Sequence, residues 1–127
     1  MKDRVEEGLP RNDEDIAFAP LTSLSGWIRD RKLTSERLTR IYLNRLKRFD
    51  ARLHCVVTLT EELALRQAKR ADREIAAGRY RGPLHGIPWG AKDLFETKGI
   101  RTTWGAMPYK DRIGSEDAYV GRKLEEA

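Results

Sequence analysis

Lys92 is the residue in this chain whose surroundings ask for chemistry. The chain holds 25 lysines and arginines in 127 residues, and Lys92 closes a run of glycines, prolines and apolar residues, "GPLHGIPWGAK" at 82–92. A lysine carried by an apolar strand has two uses. One is structural: an ion pair with a buried carboxylate, or an ammonium that reaches the surface along its apolar stem. The other is catalytic. Burial disfavours the charged form and draws a lysine pKa from about 10.4 towards neutrality, and neutral lysine is a general base. Gly86 and Gly90 leave room for other backbone, or a substrate, to approach. Composition alone favours the structural use. Asp93 does not decide the matter, because neighbours on a strand point to opposite faces.

The remaining reactive types offer less. Cys55 is the single cysteine, so it makes no internal disulfide, and with two distant histidines it shows no metal-ligand spacing. It sits in "HCVVTL" at 54–59 with no basic partner nearby, which reads as a small core residue of a buried strand rather than a nucleophile. The serines are Ser23, Ser25, Ser35 and Ser115. None has glycine-serine surroundings, and Ser115 reads as the cap of a last helix.

The elements that must position Lys92 follow from periodicity. Residues 1–20 are charged and poor in large apolar groups, which predicts a flexible N-terminal arm able to dock along the body. Leu21, Leu24, Trp27 and Ile28 fall on one face of a short helix over 22–31. "TSERLTRIYLNRLKRFD" is the clearest helix: Thr34 is its cap, and Leu38, Ile41, Tyr42, Leu46 and Phe49 make one apolar stripe. After the 54–59 strand, a helix runs over 61–77, opened by the capping-box spacing of Thr58 and Glu61 or by Thr60, and stopped by Gly78. Its buried side carries Leu63, Ala64, Gln67, Ala68, Ala71 and Ile75. Six glycines and prolines between 78 and 90 then exclude regular helix. "IPWGAKDLF" predicts a strand near 87–92, buried on both sides, with Lys92 near its end. A last helix begins near 116, with Val120 and Leu124 facing inward.

Charge is uneven. Residues 1–20 hold three basic against six acidic residues, and residues 29–52 hold nine basic against three acidic. A basic block of that kind can mark a nucleic-acid surface. Here it is largely the wet side of the 34–49 helix, and its aromatics, Tyr42 and Phe49, belong to the buried face, so they are not free to stack on bases. No stretch approaches the roughly 18 apolar residues of a membrane span, and the N-terminus has no apolar core of a signal peptide. These features predict a soluble, cytoplasmic protein.

"GPLHGIPWGAKDLFETKGIRTTWGA" resembles the N-terminal part of the amidase signature family, which includes amide hydrolases and the A subunit of the glutamyl-tRNA amidotransferase. Members carry a stretch similar to Gly82–Pro88, then Lys92 and Asp93, with Thr102, Thr103 and Gly105 about ten residues on. The upstream order of helix, strand and helix fits as well, so the resemblance covers residues 21–127. It implies an α/β fold, a mixed sheet flanked by helices, of which this chain is a helix-rich N-terminal portion. It implies a Ser–cis-Ser–Lys triad acting on a small amide substrate with no metal or organic cofactor, Lys92 being the lysine. The two serines of the family's Gly/Ser-rich stretch have no counterpart here. On this resemblance the chain is a fragment of an amide hydrolase, inactive alone. The glutaminase-type component of a tRNA-dependent amidotransferase, working with partner subunits, is the near alternative. A small basic binding module and a non-catalytic relative serving as an interaction piece are the more distant ones.

Overall fold

The computed structural model describes residues 8–127; residues 1–7 of the expected arm lie outside them. Among the described residues five α-helices follow in order: α1 Asp13–Ala17, α2 Leu21–Arg29, α3 Ser35–Leu53, α4 Glu61–Ala76 and α5 Tyr119–Glu126. A short 3-10 turn spans Met107–Tyr109.

α1 lies within the segment expected to be an arm. The Asn12 side chain accepts from the Asp15 N–H at 2.7 Å, and Asp13, Glu14 and Asp15 occupy the first turn, where the helix dipole favours negative charge. Ile16 is fully buried in the core. Asp13 and Glu14 meet Arg37 and Arg45 of α3, and the Tyr42 hydroxyl donates to the Ala17 carbonyl at 3.2 Å.

α3 begins where its sequence says it should. The Thr34 side chain accepts from the Arg37 N–H at 3.0 Å. A second cap comes from outside the helix: Asp72 of α4 accepts from the N–H groups of Ser35 and Glu36, at 2.7 and 3.0 Å. One carboxylate thus satisfies two orphan donors and ties α4 to the start of α3. The core joins Ile16, Leu24, Trp27, Ile28, Leu33, Leu38, Ile41 and Ile75, with Tyr42, Tyr80 and Ile87 packed against it. Each wholly buried leucine or isoleucine contributes roughly 1.5–3 kcal/mol. Leu43, off the expected stripe, is buried, while Leu46, on it, is exposed. On α4, Ala68, Ala71 and Ile75 are buried but Gln67 is exposed.

No strand forms among the described residues, which contain two isolated bridges, Lys98 with Gly114 and Arg101 with Ile113. The expected sheet is therefore absent from them, and both expected strands are corrected. At 54–59 the cause is local. His54 closes α3 in the left-handed conformation (φ 49°). The Asp50 carboxylate then accepts from the N–H groups of Cys55 and Val56, at 2.8 and 2.9 Å. Those donors are spent on a helix end rather than on a strand neighbour, and Cys55 is exposed, not a core residue. At 82–95 the donors close tight turns instead: His85 N–H to Gly82, Ile87 N–H to Leu84 and Phe95 N–H to Lys92. Proline at 83 and 88 has no N–H to offer a ladder. The last helix starts at Tyr119 with Ala118 as its N-cap residue, so Ser115 does not cap it.

Candidate functional site

The segment that leads to Lys92 is fastened at three points. Arg81 and His85 bind Glu74 of α4. The Ser35 hydroxyl, at the start of α3, donates to the Gly86 carbonyl at 2.6 Å. Ile87 packs on the core. Gly86 has φ +82°, and a Cβ there would stand 3.1 Å from the Ser35 Cβ, so this approach of loop to helix needs glycine.

Beyond Ile87 the chain turns outward. Lys92 is exposed, as are Trp89, Leu94 and Phe95. The strand expected to bury Lys92 on both sides does not exist here, because no neighbouring strand covers it. Lys92 itself sits in a turn whose carbonyl accepts from the Phe95 N–H at 2.9 Å.

Asp93 is held far more closely. Its carboxylate accepts from the Thr103 N–H at 2.8 Å and from the Thr103 hydroxyl, and its carbonyl accepts from the Trp104 N–H at 3.1 Å. The Thr103 hydroxyl bond, followed by the Thr103 backbone bond, holds the Asp93 carboxyl below the usual carboxylate range. Thr103 Oγ1 in turn accepts from the Gly105 N–H at 3.1 Å. Thr103 and Gly105, read in the sequence as part of one motif with Lys92, therefore serve as a brace for its neighbour Asp93. Thr102 is buried and donates its N–H to the Arg112 carbonyl at 3.0 Å.

A second brace was not legible. Glu96 accepts from Arg112 Nη2 at 2.8 Å, from the Ser115 N–H at 2.7 Å and from the Ser115 hydroxyl at 3.2 Å. The Arg112 bond above all, then the Ser115 backbone bond, pulls the Glu96 carboxyl down to about 2. Arg112 also lies over the Trp104 ring at 4.4 Å. These partners are 16 to 19 residues from Glu96, beyond any periodic pattern.

The basic face of α3 is occupied by acids. Arg37 pairs with Asp13, Arg40 with Glu36, Arg45 with Glu14 and Lys47 with Glu61. These four pairs offset part of the positive charge that phosphates would need. Among the described residues no three of His, Cys, Asp and Glu converge as metal ligands would. An open groove of about 530 Å³ lies between the α3–α4 connection and the 99–113 segment, lined by Val57, Leu59, Ile100 and Ile113 among others. Lys92 does not line it.

Comparison with known proteins decides the family. The sequence model described as Amidase matches residues 37–127. The chain belongs to the amidase family. A Mycobacterium tuberculosis protein carrying the amidase name AmiD is 40% identical over 119 residues, 93% of this chain and 25% of its own length. The A-type component of the glutamyl-tRNA(Gln) amidotransferase of Pseudomonas syringae pv. syringae is 41% identical over 107 residues, 84% of this chain and 22% of its own. The solved native peptide amidase of Stenotrophomonas maltophilia superposes with a TM-score of 0.80 at 34% identity, covering 87% of this chain and 23% of that one. The chain thus spans about a quarter of the length of the relatives it matches. No helix among the described residues of this amidase-family chain is long and apolar enough to cross a membrane.

Proposed function

We propose that this chain is the lysine-bearing N-terminal part of an amide-cleaving enzyme. In this reading Lys92 is the base of a Ser–cis-Ser–Lys triad acting on a small amide. The observation that supports it most is the family match over 37–127, which includes the 82–105 motif with Lys92 and its braced neighbour Asp93. The lysine accepts a proton from the bridging serine, which takes one from the nucleophilic serine as it attacks the amide carbonyl. Neither serine is among those of this chain. Ser35 is buried and donates to Gly86, and Ser115 is bound to Glu96. In the proposed whole enzyme, further chain covers Trp89, Leu94 and Phe95 and encloses the lysine. Enclosure makes the ammonium costly, which is what a lysine base needs.

A second reading has an observation of its own. The 41% identity to a glutamyl-tRNA(Gln) amidotransferase component favours glutamine as the amide and partner subunits as recipients of the ammonia.

The test is a chimera in which residues 21–127 replace the matching segment of the Stenotrophomonas peptide amidase. Retained amide cleavage, lost by several powers of ten on Lys92→Arg, is the expected result, because arginine stays protonated and cannot serve as a base. A Lys92→Arg chimera with undiminished kcat removes Lys92 from the mechanism. The 127-residue chain alone is expected to turn over no aryl amide.

A further inference from the structure

The His85 side chain is fully buried, between α4 and the loop that leads to Lys92. Its Nδ1 accepts from the Arg81 N–H at 3.1 Å, so that nitrogen is bare. Its Nε2 faces Glu74 Oε2 at 3.0 Å, an acceptor, so that nitrogen carries the hydrogen. One neutral tautomer satisfies both partners. The other neutral form sets two N–H hydrogens against each other at Arg81 and leaves a bare nitrogen facing a carboxylate. Tyr80 stacks on the ring with centroids 6.0 Å apart. The residue after His85 is Gly86, whose carbonyl is held by Ser35, and the next is Ile87, packed on the core. Five residues further on is Lys92.

From this geometry we propose that His85 is a positioning residue: in its neutral, Nε2-protonated form it clamps the 81–87 loop onto α4 and thereby sets where the chain departs towards Lys92. The role assigned to Lys92 rests on the amide-cleaving reading above; the clamp itself does not. The charged groups facing the ring are Glu74 and Arg70 on α4 and Arg81 on the loop, with Tyr80 beside it. Desolvation by burial, then the charge of Arg81, push the imidazole below its ordinary value, against the pull of Glu74. The neutral clamp therefore persists at neutral pH. Protonation of Nδ1 removes the acceptor that holds the Arg81 N–H, so acid opens the clamp.

The experiment is nuclear magnetic resonance on the 127-residue chain. Imidazole nitrogen spectra at pH 7 are expected to show His85 wholly as the Nε2-protonated tautomer, titrating below about 6.5. The amide signals of Arg81, Ile87 and Lys92 are expected to shift with the same midpoint as the ring. In His85→Gln that shared pH dependence is lost, while α3 and α4 keep their amide patterns. The Nδ1-protonated tautomer, or an ordinary titration midpoint, overturns the clamp. A Lys92 amide that stays still while the ring titrates overturns the positioning role. The tautomer is read on the unmutated protein, so the test survives a variant that does not fold. None of these readouts needs catalysis, so their failure leaves the amide-cleaving reading standing, and the loss of that reading leaves the clamp standing.

Discussion

Asp93 accepts two hydrogen bonds from a single residue, Thr103, one from its N–H and one from its hydroxyl. This pair pins the backbone beside Lys92 to a turn ten residues later. Thr103→Val removes the hydroxyl and keeps the shape, and is expected to cost about 1–2 kcal/mol. Thr103→Ser is expected to restore most of it. Urea unfolding midpoints at an unchanged slope are the measurement. Because the folded-state pKa of Asp93 is lowered, the bond contributes fully above the ordinary aspartate value and is lost as pH falls through the folded one.

Glu96 gives the larger acid dependence. Its pKa falls from 4.5 to about 2 on folding, through Arg112 and Ser115. The sign follows: its contribution is present above pH 4.5 and is lost progressively as pH falls towards 2. Glu96→Gln is expected to be less stable at neutral pH and to lose less on acidification. Subtracting the two stability curves isolates this group from the other carboxylates. A difference that stays constant from about pH 5 down to about pH 2.5 refutes the assignment.

Gly86 is expected to tolerate no side chain. Alanine there combines φ +82° with a Cβ 3.1 Å from Ser35 Cβ. A loss of about 2 kcal/mol or more is expected. Ser35→Ala removes the Oγ that would stand 3.3 Å from such a Cβ but keeps the Ser35 Cβ, and it leaves the Gly86 carbonyl without its donor, at about 1–2 kcal/mol. The double variant is expected to cost less than the sum of the two. Thermal or urea unfolding of all three variants tests this.

Phe18, Leu53, Val57, Leu94, Met107, Ile113 and Tyr119 are each more than half exposed. So much uncovered apolar surface is expected to bind a hydrophobic dye at neutral pH and to promote self-association as concentration rises. A chain that stays monomeric by sedimentation and binds no dye contradicts this.

What could be read directly was what repeats along the chain or is held by neighbours in sequence. The stripe of Leu38 and Ile41, the Thr34 cap and the Gly78 stop each act within one or two helical turns, so α3 and α4 were legible to within a few residues. The 82–105 motif was legible because its residue types are unusual and their order is specific. Strands were not, since a strand is completed by its neighbour. A run such as "HCVVTL" has the composition of one, yet Asp50 takes its Cys55 and Val56 donors. The inward place of His85, the braces Asp93–Thr103 and Glu96–Arg112, and the Asp72 cap on α3 join residues 10 to 37 positions apart. Only the folded chain brings such groups within hydrogen-bond distance. Sequence therefore named Lys92 and its family, while tertiary structure decided that Lys92 stands exposed at the end of a loop clamped by His85.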